Sequence, residues 1–280
     1  MLSCEASVFY RLFPHFDVGM ERKRIVRKVL SIAGSDCSRG AGIQADLKTF
    51  SAHGVFGMTA IVSVVAENTF RVIEYQDIRP DMIKKQIDAV FEDIPPDAVK
   101  IGMLSCKASM EAVADRLRLW KPKNIVIDPV MYAKNGAPLM DMASIDTLIE
   151  QVVPLGDLVT PNIPEAEKMA GISITSESDL EEAARTIFAM GCGHVLIKGG
   201  HALGDATDLL FDGAQFYRYT VPRIDTQNTH GTGCTYSSAI AVRRAKQYVT
   251  TAIAHALPFG KGCGPTHHFV DLYQHGLERR

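Results

Sequence analysis

The sequence predicts an α/β fold in which a mostly parallel sheet is covered by helices on both faces. Short apolar runs alternate with amphipathic stretches along most of the chain, and polar or glycine-rich residues follow several of the runs. Strands buried on both faces are typically short apolar runs, and helices connect parallel strands. With 280 residues, of which 46% are hydrophobic, the chain is long enough for one large domain with its own core.

Six apolar runs are the predicted parallel strands, at residues 29–33, 57–65, 98–102, 124–128, 157–160 and 194–198. Helical patterns lie between several of them, at residues 82–91, 107–120, 143–152 and 178–190. After residue 207 the pattern changes, and strands at 208–211, 215–219 and 221–224 are expected to form an antiparallel edge. A long helix is then predicted at 231–257, and a last one at 266–275.

Residues 28–280 are predicted to form a single domain, preceded by a disordered extension at residues 1–27. The beginning of the chain does not resemble a signal peptide, because Glu5 and Asp17 interrupt it and no basic segment precedes an apolar one. A basic run begins after Met20, directly before the first strand, so a translation start at Met20 is an alternative.

Composition excludes several classes of function. With 30 basic and 32 acidic residues the net charge is −2, which implies no general attraction to nucleic acid or to an anionic membrane. No segment is predicted to span a membrane. The six cysteines are scattered and show no C-x-x-C spacing, which argues against a zinc site and a disulfide framework and favours a reducing, cytoplasmic location.

The strongest local motif is residues 228–235, Asn-Thr-His-Gly-Thr-Gly-Cys-Thr. A glycine-rich turn that leads into a helix presents several N–H groups, together with the positive end of the helix dipole, to an anion such as phosphate. We therefore expect Gly231, Thr232 and Gly233 to stabilise a transferring phosphoryl group. Cys234 falls in the first turn, where we expect a lowered thiol pKa and a role as proton acceptor. The alternative is an ordinary capped loop.

Two further clusters could carry chemistry. Asn162 and Glu165 have the spacing of a helix capping box, and Glu165 could in addition hold Mg²⁺ through water. Residues 33–46 read as a strand, a polar glycine-rich turn and a helix, with Asp46 pointing back toward the turn. Neither a G-x-G-x-x-G fingerprint nor a P-loop is present.

Three other features are ambiguous from the residues alone. Lys198 follows a strand and precedes two glycines, which suits a cation near phosphate. Met103 could lie against a flat ring, although a methionine in that setting is more often part of the core. His267 and His268 are adjacent on a predicted helix and would point in different directions, which disfavours a metal site.

Taken together, these motifs resemble the hydroxymethylpyrimidine/phosphomethylpyrimidine kinases of thiamine biosynthesis, within the ribokinase-like superfamily. The resemblance runs from about residue 29 to residue 268. It rests on the motifs AGSDCSRGAGIQADLKTF (33–50), KIGML (100–104), DPVM (128–131), TPNIPEA (160–166), KGGH (198–201) and NTHGTGCT (228–235). It implies a three-layer α/β/α fold and transfer of the γ-phosphoryl group of ATP to 4-amino-5-hydroxymethyl-2-methylpyrimidine or its monophosphate.

The resemblance also implies residue roles. Cys234 would be the base, beside an anion hole at Gly231, Thr232 and Gly233. Glu165 would be linked to Mg²⁺, and Lys198, Asp128 and Thr232 would contact the nucleotide. The pyrimidine would bind among five residues, Gly34, Asp46, Val65, Glu67 and Met103. A homodimer is the expected assembly.

Three departures from the family pattern matter. Glu67 stands where many relatives have Gln, and it suits an aminopyrimidine only if the ring or the carboxyl carries a proton. Arg39 replaces a usual glycine. About one helix-turn unit is missing near residues 241–245, which predicts one fused helix and a more open nucleotide pocket.

Two alternatives stay open. Pyridoxal or pyridoxine kinases share the fold and also phosphorylate a hydroxymethyl group on a flat heterocycle. A pyrimidine-binding homologue with weakened or no catalysis would fit the missing unit, although the intact glycine-rich turn disfavours it.

Overall fold

The structure is a computed structural model, and it describes residues 26–38, 40–132, 139–140, 142–199, 205–226, 228–241, 245–259 and 263–270. Most of the predicted extension, residues 1–25, lies outside these residues, as do Arg39 and the segment 242–244.

One sheet of nine strands organises the described part of the chain, in the order β3-β2-β1-β4-β5-β6-β7-β8-β9. The strands from β2 through β1 to β7 pair in parallel, whereas β3, β8 and β9 each pair antiparallel with a neighbour. The strands are β1 Lys28–Asp36, β2 Phe56–Glu67, β3 Val72–Asp77, β4 Ala98–Ile101, β5 Ile125–Ile127, β6 Leu158–Val159, β7 Val195–Ile197, β8 Ala206–Phe211 and β9 Phe216–Val221.

The helices connect these strands and cover both faces of the sheet. They are α1 Gly42–Ala52, α2 Pro80–Asp93, α3 Lys107–Trp120, α4 Met142–Thr147, α5 Ile163–Ala170, α6 Glu177–Phe188, α7 Thr232–Ala241 and α8 Ala245–Ala254. A π-helical turn, Leu148–Val152, and a 3₁₀ turn, Val153–Leu155, continue α4.

Two hydrophobic clusters, one on each face of the sheet, define the three layers. Leu30 and Ile32 of β1 belong to the larger cluster, with residues of α2, α3 and α6. Val29 points the other way and belongs to the second cluster, with residues of α1, α7 and α8. Side chains alternate between the faces of a strand, so β1 contributes to both cores. The predicted three-layer α/β/α fold is confirmed.

The sheet edges differ from the prediction. The sequence did not indicate β3, because most of its residues are exposed and no apolar run marks it. At the other edge, the predicted strand 221–224 is wrong, since Val221 ends β9 and residues 222–226 belong to no strand.

The predicted fused helix at 231–257 is also wrong. Helices α7 and α8 are separate and pack against each other, and Ala239 and Val249 share one core cluster. Each helix has an apolar face that the same side of the sheet can bury. A single helix of that length would extend about 40 Å in one direction, so its two halves could not pack against each other as α7 and α8 do.

The last predicted helix does not form over residues 266–269. Their backbone instead bonds to other segments: the Thr266 N–H donates to the His230 carbonyl at 3.4 Å and the His267 N–H to the Ala252 carbonyl at 2.9 Å. The remainder of that prediction, from residue 271, lies outside the described residues.

Candidate active site

A cavity of about 760 Å³ lies at the carboxyl ends of the parallel strands. Strand order reverses direction between β1 and β4, and ligands of open α/β sheets bind at such a switch point. The cavity is lined by most of the residues that the sequence singled out: Gly34, Val65, Glu67, Met103, Asp128, Glu165, Lys198, Gly231, Thr232, Gly233 and Cys234.

Two glycine-rich turns, one after β1 and one before α7, meet in this cavity. A Cβ on Gly231 would overlap the carbonyl oxygen of Gly40, and a Cβ on Gly40 would overlap the His230 ring. Gly231 has a φ of +76°, a region that favours glycine. The absence of side chains at these positions lets the two turns touch.

Asp36, which the sequence did not single out, holds the two turns together. Its carboxylate accepts N–H bonds from Ser38, Gly40 and Ala41 at 2.7–2.9 Å, and it lies 2.9 Å from His230 Nε2. Burial alone would raise the pKa of Asp36, but the hydrogen bonds from His230 and Ser38 outweigh burial and lower the pKa to about 2. Asp36 is therefore an anion at neutral pH.

One side of the cavity has a largely apolar wall with one acid. Val65 is buried, and a Cβ on Gly34 would lie 2.7 Å from the Met103 methyl group. Burial and, after it, repulsion by Asp36 raise the pKa of Glu67 to about 7. In part of the molecules the Glu67 carboxyl therefore carries a proton near pH 7. A protonated carboxyl is one of the two conditions under which Glu67 suits an aminopyrimidine.

Cys234 lies in the first turn of α7 and lines the cavity. The expected low thiol pKa is wrong, because burial raises the pKa of Cys234 to about 11 even though Lys100 lowers it. Cys234 is therefore mainly a thiol at neutral pH.

An ion pair lines the other side of the α7 N-terminus. Lys198 Nζ lies 2.6 Å from Asp128 Oδ1, and both side chains face the cavity. A Cβ on Gly233 would lie 3.5 Å from Asp128 and 3.6 Å from Lys198. Burial works to lower the pKa of Lys198, but Asp128 and Glu165 raise it overall, so that a cation is held beside the helix start.

Glu165 forms the expected capping box. Its carboxylate accepts the Asn162 N–H at 2.8 Å, and its own N–H donates to the Asn162 side chain at 2.9 Å. The carboxyl is buried and lines the cavity. Burial raises the pKa of Glu165 to about 7, with Lys198 opposing and Asp128 adding to the rise.

Asp46, also a predicted site residue, lies outside the cavity. It has no solvent exposure and does not line the cavity. Its carboxylate accepts bonds from Lys100, Ser31 and Ser238. These donors hold the carboxylate behind the cavity wall, and the contact of Asp46 with the pyrimidine stays a prediction.

Comparison with known proteins identifies the family. The phosphomethylpyrimidine kinase family model matches residues 36–267. The chain belongs to this family. The hydroxymethylpyrimidine/phosphomethylpyrimidine kinase of Bacillus subtilis (strain 168) is 45% identical over 88% of this chain and 96% of its own length. A bifunctional thiamine biosynthesis protein of Geobacter sulfurreducens is 47% identical, and the chain spans about half, 52%, of its length.

Solved structures agree with the fold. A phosphomethylpyrimidine kinase of Clostridium difficile is 43% identical with a TM-score of 0.70, covering 80% of this chain and 94% of its own. A pyridoxal kinase of Bacillus subtilis, in complex with ADP, is 37% identical with a TM-score of 0.80, covering 87% and 98%. The predicted family and the predicted enzyme class, a phosphotransferase, are confirmed.

Two further observations concern membrane spans and the state of the cysteines. Among the helices of the described residues, none has the length and apolar character that a bilayer crossing requires. The cysteines within the same residues carry free thiols.

Proposed function

We propose that this chain transfers the γ-phosphoryl group of ATP to 4-amino-5-hydroxymethyl-2-methylpyrimidine and then to the resulting monophosphate, as a step of thiamine biosynthesis. One observation carries the proposal. The N-terminus of α7, with Cys234 in its first turn, lies in one cavity between an apolar wall and a cluster of charged groups. The chain thus presents a place for a ring, a place for phosphates and a proton acceptor between them.

The ring is proposed to bind among Gly34, Val65, Glu67 and Met103. Glycine at position 34 leaves the face of the Met103 side chain accessible, and a thioether makes favourable contacts with flat rings. A neutral Glu67 can both donate and accept a hydrogen bond, as an aminopyrimidine requires.

The phosphates are proposed to bind at the α7 N-terminus, beside Lys198 and Asp128. ADP and a non-hydrolysable ATP analogue are bound by related pyridoxal kinases of known structure, which supports ATP as the donor. Backbone N–H groups and a lysine placed where charge develops are what phosphoryl transfer demands.

The charged cluster also fits Mg²⁺. Glu165 and Asp128 offer buried carboxylate oxygens to the cavity, and hard oxygen ligands suit this ion. Burial is the main cause of the raised pKa of Glu165 and repulsion by Asp128 adds to it, and a cation would relieve that repulsion. When bound, the ion would neutralise charge on the phosphates.

In the reaction itself, the substrate oxygen forms a bond to the γ-phosphorus while the bond from that phosphorus to the ADP oxygen breaks. For the hydroxymethyl substrate, the proton moves from the hydroxyl to the Cys234 sulfur. The thiolate is the form that accepts it, so a raised thiol pKa limits the active fraction at neutral pH. Gly231, Thr232 and Gly233 supply the backbone donors.

A pyridoxal kinase is the second candidate, favoured by the pyridoxal kinases among the solved structures that this chain resembles. A coupled assay of ATP consumption with hydroxymethylpyrimidine, its monophosphate and pyridoxal separates the two. We expect the largest kcat/KM with the pyrimidines. A kcat/KM larger for pyridoxal than for either pyrimidine would contradict the proposal.

The short connection between α7 and α8 is proposed to weaken nucleotide binding. Val249 and Ile253 of α8 line the cavity, so the position of α8 affects one wall. A variant with the missing helix-turn unit restored is expected to bind ATP more tightly, as measured by titration. Equal affinities would contradict this idea.

A homodimer and a cytoplasmic location remain predictions. Sedimentation analysis tests whether the protein is a homodimer.

A further inference from the structure

A fully buried ion pair lies outside the cavity, and the reaction described above does not use it. Lys100 of β4 and Asp46 of α1 both have 0% side-chain exposure, and Lys100 Nζ donates to both carboxylate oxygens at 2.9 Å. Ser31 donates to the same carboxylate at 2.5 Å and Ser238 at 2.6 Å. Four hydrogen bonds therefore fix this one carboxylate.

Stability is a poor explanation for the pair. Removal of two charges from water costs several kcal/mol per ion, and apolar replacements of buried pairs are often neutral or stabilising. The fold also keeps space for the ammonium, since a Cβ on Gly102 would lie 2.8 Å from Lys100 Nζ. A pair that adds little stability can still influence a functional group close to it.

The pair lies about one helical turn behind Cys234, along the contact between α1 and α7. Near the cavity the two helices start side by side, since a Cβ on Gly231 would overlap the Gly40 carbonyl oxygen and lie 3.3 Å from the Ala41 Cα. One turn further in, Ser238, which follows Cys234 by four residues on α7, donates to Asp46 of α1 at 2.6 Å. Residues four apart share one face of a helix, about 6 Å from each other.

The positive end of the pair dominates at the sulfur. Burial is the largest influence and raises the pKa of Cys234, and Lys100 is the next largest and lowers it, ahead of the opposing effect of Asp46. For Lys100, burial works to lower the pKa, while Asp46 and then Cys234 raise it, with a net rise. The ammonium thus stays charged, and its charge favours the thiolate form of Cys234.

We propose that Lys100 is a positioning residue that holds a positive charge behind Cys234, stabilising the thiolate that accepts the substrate proton. Asp46 anchors the ammonium, and Lys100 keeps its protons throughout. The part of this inference that concerns turnover rests on the proposed function, whereas the part that concerns the sulfur does not.

Alkylation by iodoacetamide tests the effect on the sulfur without ATP or substrate. The rate at Cys234 is followed by mass spectrometry of its peptide across a range of pH, with the Cys106 peptide as internal control. The variant is Lys100→Met with Asp46→Asn, because the Asn side chain can accept a hydrogen bond from one of Ser31 and Ser238 and donate one to the hydroxyl oxygen of the other. If this variant does not fold, Lys100→Gln with Asp46→Asn replaces it, since two amides can bond to each other.

We expect the alkylation midpoint of Cys234 to move to higher pH. The rate at about pH 8 should fall about tenfold for each pH unit by which the midpoint rises, because the thiolate fraction falls tenfold for each unit of pKa. Turnover should fall with it and shift to higher pH, while the KM for the pyrimidine stays unchanged. Lys84→Met with Asp115→Leu removes an exposed pair of 2.6 Å and should change none of these values.

A folded variant whose Cys234 midpoint equals that of the wild type would overturn the proposal. A shifted midpoint with unchanged kcat and pH profile would also overturn it, because Lys100 would then act on the sulfur without serving the reaction. Failure of the proposed function is seen separately, as wild-type enzyme that does not phosphorylate the pyrimidine.

Discussion

Two lysine–aspartate pairs flank the N-terminus of α7, and they differ in access. Lys100 and Asp46 are sealed, with 0% side-chain exposure for both. Lys198 and Asp128 have 14% and 1% exposure, and both line the cavity. The same two residue types thus occur once behind the cavity wall and once on it.

The difference in access separates two kinds of function. The open pair can exchange part of its ion pairing for contact with a phosphate, because Lys198 reaches the cavity. The sealed pair can reach no ligand and acts only through the field that it places on its neighbours. Substitutions in the two pairs can therefore show whether the open pair contacts the phosphates directly and the sealed pair affects catalysis only through Cys234.

The largest expected effect belongs to Cys234, which lies between the two pairs. Cys234→Ser should lower kcat by about 10²- to 10⁴-fold, because a positioned base contributes on that order, while pyrimidine affinity measured by calorimetry stays the same. Cys106→Ser, outside the cavity, serves as the control. Unchanged turnover in Cys234→Ser would remove this sulfur from the mechanism.

The open pair comes next. Lys198→Met should lower kcat/KM for ATP by about 10²-fold or more, the scale found for loss of one donor to developing charge, and raise the KM for ATP. The sealed-pair variant should leave the KM for ATP unchanged. Both KM values are measured by steady-state kinetics. If substitutions in the two pairs raised the KM for ATP equally, the idea that only one of the two pairs contacts the nucleotide would be contradicted.

The pH dependence of the Mg²⁺ requirement reports on Glu165. Its pKa is raised to about 7, so the carboxylate is ionised above that pH and protonated below it. The Mg²⁺ concentration for half-maximal rate should therefore rise about tenfold per unit as the pH falls below about 7. In Glu165→Gln, the part of this pH dependence that comes from the Glu165 carboxyl should be absent. The titration of ATP affects the Mg²⁺ requirement of both proteins equally, so the difference between the wild-type and variant pH profiles isolates Glu165. Identical pH profiles in the two proteins would contradict a role of Glu165 in holding Mg²⁺.

The smallest expected effect concerns Glu67, on the pyrimidine side. Its pKa is raised to about 7, so the neutral, donating form is lost as the pH rises above that value. Pyrimidine affinity should fall about tenfold between about pH 7 and pH 8 and a half, and Glu67→Gln should bind with little pH dependence. The same slope in both proteins would show that Glu67 does not set the affinity.

Sequence patterns predicted the parts of the fold that are buried on both faces. The apolar runs identified β1, β2 and β4–β7 because burial on both faces demands such residues. Strand β3 was not predicted, because its residues are mostly exposed. The separation of α7 from α8 was not predicted either, since two adjoining helical patterns have the same period as one long helix.

For the site, local motifs predicted which residues gather but not their partners. Asp36 and His230 are 194 positions apart, and only the fold shows that they join the two turns. The motif around Cys234 indicated a helix N-terminus and therefore a low thiol pKa, whereas the depth of the sulfur reverses the shift. Asp46 sits in the expected helix, but Lys100 from a distant strand holds it away from the cavity.

The pH dependence of the first-turnover rate tests the role of Cys234 most directly. Rapid mixing of ATP with the enzyme–pyrimidine complex at pH values from about 7.5 to 9.5 measures transfer before product release, in a range where Glu67 and Glu165 are largely ionised. A thiol pKa of about 11 predicts a wild-type rate that rises about tenfold per pH unit, and no such rise in Cys234→Ser. A wild-type rate that is flat with pH, or a variant that rises in parallel, would contradict proton transfer to this sulfur.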